Sequence, residues 1–549
     1  MFGSYHKGSF ASDLAFLLLL LGLPLRVFAA PTFAGPVTNG TVNVPNLTEV
    51  SGVAASRNNP GVLWVHNDAG NAPVVYALDA QGQSLGTYAL PDNVDNEDIG
   101  MGPGPVTNVS YMYVMDIGDN TSVRANIAVY QIPEPAVYAW QAGSPVVNHA
   151  LKGVRTITLT YPDGARNAEA AFVDPVTGDL FILSKASTSR IYTAPKAWLD
   201  SSTNITLTYL HKLNFDVPSG ADISPLGNEI VVRQEDFAGL WPRTNGQTVG
   251  DALLGVSNSI PVVGTGNGEP NGEAIGFDSY GGGYFTLSDS SDTQPLRYFA
   301  RTSHDGPTPP RVLLPMAASW KFLDTGLDQG TAWQAPEFDD SLWKNGLAQI
   351  GYGDGDESTL ASFGANPAAK PITTYFRKTF AVTNAGQLAA LTLKLVVDDG
   401  ANVYLNGTLV AGVNLADDAT ATTPATPMPD ALRDTWHSYA VDPRLLHEGN
   451  NTLAVEVHLA AANAASMSFD LQLLGTEAPR VTAVSWAPAR AEVFLTGSGN
   501  APTTVQGTAD FLNWTTLGNV VLTNGSGVFD DGAAPNFNLR LYRAFRALP

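Results

Sequence analysis

Cysteine is absent from all 549 residues. Disulfides, thiol nucleophiles and thiolate metal sites are thereby excluded. Positive charge is sparse: 29 Lys and Arg stand against 51 Asp and Glu, giving a net charge of −22. That balance disfavours nucleic acid and anionic membrane surfaces as partners. Also missing are a Walker loop and a His-Glu-x-x-His pair, which removes the simplest NTPase and metalloprotease readings. Gly264-Thr-Gly-Asn-Gly-Glu269 is glycine-rich but precedes a strand rather than a helix, so it reads as a turn. Leu14 to Leu25 is apolar yet short for a bilayer span. With Val27-Phe28-Ala29 as a small-residue cleavage site, residues 1–29 read as an export signal, an uncleaved anchor being the alternative. The expected location is secreted, extracellular or cell-surface, with no integral membrane segment after signal cleavage.

What is plentiful is turn and strand chemistry. The chain has 53 Gly and 37 Pro, with Val, Thr and Tyr in short runs, which predicts an all-β class. Its length exceeds one core and suggests about three domains.

One unit recurs between Ser51 and Phe299. Its openings are Ser51-Gly-Val-Ala, Glu97-Asp-Ile-Gly, Glu169-Ala-Ala-Phe, Ala221-Asp-Ile-Ser and Glu273-Ala-Ile-Gly, spaced by 46, 72, 52 and 52 residues. Blades of a β-propeller recur every ~40–50 residues, so residues 40–303 predict a five- or six-bladed propeller, the 72-residue interval leaving the number open. Thr41-Val-Asn-Val44 is placed to supply an outer strand to the last blade. Second strands end on charge in each unit, as in Leu63-Trp-Val-His-Asn-Asp68 and Phe285-Thr-Leu-Ser-Asp289.

The first strand of a blade starts at one channel mouth and the antiparallel second strand returns there. Glu97, Asp98, Glu169, Asp222 and Glu273 are therefore expected to converge as metal ligands, with Asp68, Asp119, Asn120, Arg124 and Asp289 as ligand-binding groups beside them. His66, Asp116, Lys185 and Arg233 are the catalytic candidates, the two cations for an anion and His66 or Asp116 for a proton. Converging carboxylates repel unless a cation joins them. Two solutions stay open: a hard cation, with calcium suited to an all-oxygen, cysteine-free site, or internal neutralisation by Lys185 and Arg233, which makes the ring structural.

Asp305-Gly-Pro-Thr-Pro-Pro-Arg311 reads as a semi-rigid linker over 304–316. Beyond it, Phe338-Asp-Asp-Ser-Leu-Trp343 and Asp398-Asp-Gly-Ala-Asn-Val-Tyr-Leu-Asn-Gly407 resemble the galactose-binding-like jelly roll. That resemblance spans 317–476 and implies a β-sandwich, often a carbohydrate-binding or spacing module, with Trp320, Trp333, Trp343 and Trp436 either core or stacking platform. Gly351-Tyr-Gly-Asp-Gly-Asp-Glu-Ser358 has the alternating oxygens of a calcium loop without its full pattern. Asp510-Phe-Leu-Asn-Trp-Thr-Thr-Leu-Gly518 and Leu541-Tyr-Arg-Ala-Phe545 resemble a small C-terminal, Ig-like β-module of secreted bacterial proteins, placed at 478–549.

Asn96-Glu-Asp-Ile, Asn167-Ala-Glu-Ala and Asn271-Gly-Glu-Ala-Ile resemble the blade openings of phytase-like and regucalcin-like propellers. That resemblance implies calcium and the hydrolysis of a phosphoester or lactone. The expectation is thus a multi-domain propeller whose channel mouth binds a cation and a small anionic or sugar-derived ligand, possible polysaccharide included. A non-catalytic carbohydrate-binding or adhesion protein is the alternative.

Overall fold

The computed structural model describes all residues except 1–30, 245, 291–292, 304–307, 488, 498–501, 511, 523–525, 538 and 546–549. The expected export signal at 1–29 lies outside the described residues. Among those described, no helix is long and apolar enough to cross a membrane.

Residues 37–300 build five sheets, each containing an antiparallel meander begun by one buried strand, with one parallel strand added to the first and one to the second. The first strands are Val50–Ala55, Asn96–Pro103, Ala168–Val173, Gly220–Ile223 and Gly272–Phe277. They pack side by side in that order, and the fifth packs back onto the first. The alternation of apolar side chains along each strand fills the space between neighbouring sheets. Trp64, Tyr88, Ile99 and Val114 lie between the first two sheets; Phe172, Leu183, Val232 and Trp241 lie between the third and fourth.

The fifth sheet takes its outermost strand from the other end of the region: Val37–Val42 pairs antiparallel with Gln294–Tyr298. The 72-residue interval holds no sixth sheet. Instead Val146–Ala150 crosses back to lie parallel on Ser84–Ala89 of the first sheet, before Arg155–Thr160 resumes the second.

Residues 311–477 form two six-stranded sheets. Trp320, Phe376 and Phe469 interlock between them, with Phe376 and Phe469 stacked at 4.0 Å and Trp320 edge-on to Phe469 at 5.0 Å. This is a β-sandwich. All four tryptophans weighed as stacking platforms are core: Trp320 and Trp436 are 0%, Trp333 1% and Trp343 7% exposed. Part of the expected linker is structural as well, since Arg311–Leu314 pairs with residues 473–475 of the sandwich. A repeat of apolar residues, Val312-Leu-Leu314, outweighs the prolines before it. The chain from 480 to 545 adds two three-stranded sheets closed over Val493, Leu495, Val505 and Leu522.

The sandwich docks on the five-sheet region through an apolar cluster of Tyr138, Val396 and Trp436 and through polar contacts. Trp436 Nε1 donates to Asn59 Oδ1 at 3.0 Å, and Lys394 Nζ donates to Arg57 O and Asn58 Oδ1, both at 3.0 Å. Residues 31–549 are one compact unit.

Candidate functional site

The first strands do more than start sheets. In the first, second, third and fifth of them the pairing register slips at the opening residue: Val50 pairs Asn67 while Gly52 pairs His66, leaving Ser51 unpaired. Glu97 and Glu169 are skipped in the same way, and Glu273 lies in the skipped pair after Gly272. A β-bulge turns the extra residue out of the ladder and re-aims its side chain. The fourth strand has no slip, Gly220 pairing Arg233 and Ala221 pairing Val232.

The bulged side chains meet. Ser51 Oγ donates to Glu97 O at 2.9 Å and lies 3.2 Å from Glu97 Oε2 and 3.4 Å from Glu273 Oε2. Glu169 is ion-paired with Lys185 and accepts from Asn167 Nδ2 at 3.2 Å. Asp68, Asp95 and Asp289 stand around them, and Asp68, Asp95 and Glu97 each offer an oxygen within 4.8 Å of the others. Gly118 makes the room: a methyl there would lie 2.2 Å from Glu97 Oε1 and 2.4 Å from Asp95 Oδ2.

Burial and mutual repulsion set the charge states. Burial, then Glu169 and Asp289, push the Glu273 carboxyl up to about 8. Burial, then Asp68, pushes Asp95 and Asp289 each to about 6. Glu97 is held well above the usual carboxylate range by burial and by Glu169. Glu169 is raised by burial too, but Lys185 opposes the rise. Glu273 is thus a neutral acid at neutral pH, while Glu169 has the Lys185 ammonium beside it.

Other predicted residues are placed differently. Asp98 and Asp222 do not face the opening. Asp98 Oδ2 accepts from Ala171 N at 2.9 Å and Ala221 N at 3.0 Å, and Asp222 Oδ2 from Phe277 N at 2.8 Å. They tie first strands together, because in each case the acid sits in the regular ladder instead of at a bulge. Arg233 is 0% exposed and bonded to Glu269 at 3.1 Å, so it reaches no ligand. His66 is fully buried and burial lowers it to about 4; its ring lies against Gly52, where a methyl would be 2.6 Å from Nε2.

The loop 116–124 satisfies itself. Arg124 Nη2 pairs with Asp116 at 2.6 Å while its Nη1 donates to Gly118 O at 2.7 Å. Asp119 accepts from Val123 N and Arg124 N at 3.0 and 2.8 Å, and Asn120 Oδ1 accepts from Asn167 Nδ2 at 3.0 Å. Asp116, Asp119, Asn120 and Arg124 therefore hold Gly118 against the carboxyls rather than hold a ligand. Asp95 is not among the expected ligands, although it lies two residues before Glu97 in Asn93-Val-Asp-Asn-Glu97; the glycine between two acids in Asp116-Ile-Gly-Asp119 makes room for the carboxyls.

No protein-family model and no curated protein matches the chain. Solved structures with partial likeness include a β-glucuronidase of Bacteroides uniformis, 17% identical over 40% of this chain and 27% of that one, with a TM-score of 0.23. A β-glycosidase of Bacteroides vulgatus is 15% identical over 40% of this chain and 29% of its own, TM-score 0.22. A glycosyl hydrolase family 2 member of Bacteroides cellulosilyticus is 14% identical over 43% and 31%, TM-score 0.23. The chain spans less than a third of each of these proteins.

The expected phosphoesterase or lactonase is corrected here. The structures named are glycoside hydrolases, and the likeness to phytase-like and regucalcin-like propellers gains no support from any comparison. Of the two cations assigned to an anionic ligand, Arg233 is fully buried against Glu269 and Lys185 is ion-paired with Glu169.

Proposed function

We propose that this chain is a carbohydrate-directed hydrolase acting on a glycosidic bond, with its site where the five first strands open. The five sheets are then the blades of a five-bladed propeller, the sandwich a galactose-binding-like module, and residues 1–29 the signal that exports it. A single observation carries the reading: two glutamates turned out by bulges at one opening stand in unlike surroundings. Glu273 stays protonated towards pH 8, while Glu169 faces the Lys185 ammonium. Glycoside hydrolysis uses one carboxyl to protonate the leaving oxygen and a second, ionised one as base or nucleophile. Glu273 is the acid and Glu169 the carboxylate. Asp68, Asp95 and Glu97 are the residues that would hold a calcium ion, which would supply a fixed positive charge beside the sugar hydroxyls.

The test is a panel of chromogenic aryl glycosides assayed with the purified chain, Glu273→Gln and Glu169→Gln. Each variant is expected to lose about 100-fold or more in kcat, the usual size of a general acid–base contribution. Undiminished turnover of a cleaved glycoside by both variants would remove the assignment.

A further inference from the structure

We infer that Lys394 of the sandwich condenses with Asn58 of the five-sheet region, so that the protein joins its own two modules by an isopeptide bond.

Three segments supply the parts. Lys394 lies in Leu388–Asp398 of the sandwich, Asn58 in the turn between Val50–Ala55 and Val62–Asn67, and Glu134 directly after Ile127–Pro133. Lys394 Nζ donates to Asn58 Oδ1 and to Arg57 O, both at 3.0 Å, and the amide carbon of Asn58 is the next atom beyond that Oδ1. Both acceptors are neutral, so neither contact fixes the ammonium form. Burial lowers the amine to about 8, which leaves a share of it uncharged and nucleophilic near neutral pH. An uncharged amine uses its two hydrogens on these two oxygens and keeps its lone pair.

The amide and the acid beside it are set for transfer. Asn58 is 6% exposed, and its Nδ2 is shielded from solvent with no hydrogen-bond partner. Nothing holds the nitrogen that must leave. Glu134 is 0% exposed. Its Oε1 accepts from Ser56 Oγ, from Trp64 Nε1 at 3.1 Å and from Asn59 Nδ2 at 3.3 Å, while its Oε2 has no partner. Glu134 is also the acid whose charge acts on Lys394. A bare buried oxygen is costly as structure alone and suited to carrying a proton.

In the step, the Nζ lone pair attacks the side-chain carbonyl carbon of Asn58 and the new carbon–nitrogen bond forms. Glu134 Oε2 takes a proton from Nζ and passes it to Nδ2; the bond from that carbon to Nδ2 breaks and ammonia leaves. An amine and a primary amide become a secondary amide and ammonia, with no change of oxidation state and no outside reactant.

Mass spectrometry of the full chain, unfolded before measurement, tests this. The wild type is expected to be lighter by one ammonia than its sequence requires from its observed N-terminus, and its tryptic digest to contain a branched peptide joining Asn58 to Lys394. Lys394→Met and Asn58→Ala should each show the full sequence mass and no branch, and freshly made Glu134→Gln should be mostly unbranched. A wild-type chain of full sequence mass without the branched peptide overturns the inference. Loss of ammonia without the branch overturns it too, because an Asn-Gly pair such as Asn406-Gly407 closing on its own backbone gives the same loss. A fully branched Glu134→Gln overturns the part given to Glu134. The wild-type measurement decides even where a variant does not fold.

Discussion

Gly118 and Glu97 occupy adjoining space so closely that a methyl on the glycine would stand 2.2 Å from the glutamate Oε1. The same methyl would strike Asp95. Gly118→Ala is expected to push both carboxylates from their places, cutting kcat/KM on the cleaved glycoside about tenfold or more, at a stability cost of about 1–3 kcal/mol. Parallel kinetics and thermal melts check this, and an unchanged kcat/KM would show that the carboxyl positions are not critical.

Stability should fall with rising pH. Glu273 binds its proton more tightly folded than unfolded, about 8 against an ordinary value of about 4.3. Its contribution is therefore complete below the unfolded value and is lost as pH climbs through about 8. Asp95 and Asp289, at about 6, act in the same direction over the lower part of that window. The loss is on the order of a few kcal/mol. Denaturant midpoints between weakly acid and weakly alkaline pH measure it, and Glu273→Gln should flatten the slope.

Arg233 and Lys185 should respond differently to removal. Arg233→Met leaves the fully buried Glu269 with only Arg297 and Thr286 as partners, and the loss should lie at or below the lower end of the about 3–5 kcal/mol that removing one partner of a buried pair costs. Lys185 is 28% exposed, so Lys185→Met should cost less stability but should abolish most activity by letting Glu169 take up a proton. Urea unfolding and kcat for the two variants separate the roles.

Calcium at Asp68, Asp95 and Glu97 should show in the melt. An ion at 100 times its Kd stabilises by about 2.7 kcal/mol, so a chelator should lower Tm in the wild type and leave Asp95→Asn unmoved. No chelator effect in either would leave the three acids without a metal.

The repeated openings were legible because strand, turn and strand recur with the acid at the same place, and Glu97 and Glu273 do meet at Ser51, with Glu169 near enough to raise both. Asp222 misled because the acid at the fourth opening falls one residue after the aligned position, where no bulge turns it outward. Arg233 misled because its burial depends on Glu269, which lies 36 residues on and outside the repeat. The long second interval suggested a sixth blade because sequence spacing does not show when a strand such as Val146–Ala150 leaves its own sheet and returns to the previous one. Asp98 illustrates a general ambiguity: a carboxylate that braces two neighbouring backbones and one that faces a ligand are spelled alike.

The loan of Val37–Val42 to the last sheet also fixes the order in which the region can mature. As the chain emerges from the ribosome, this strand must wait, an open hydrogen-bonding edge, until Gln294–Ala300 appears. Only then can the circle lock, and long-range pairing of this kind is slow. A chain begun after Val42 would keep the Gln294–Ala300 edge bare, and a bare edge recruits strands from other copies.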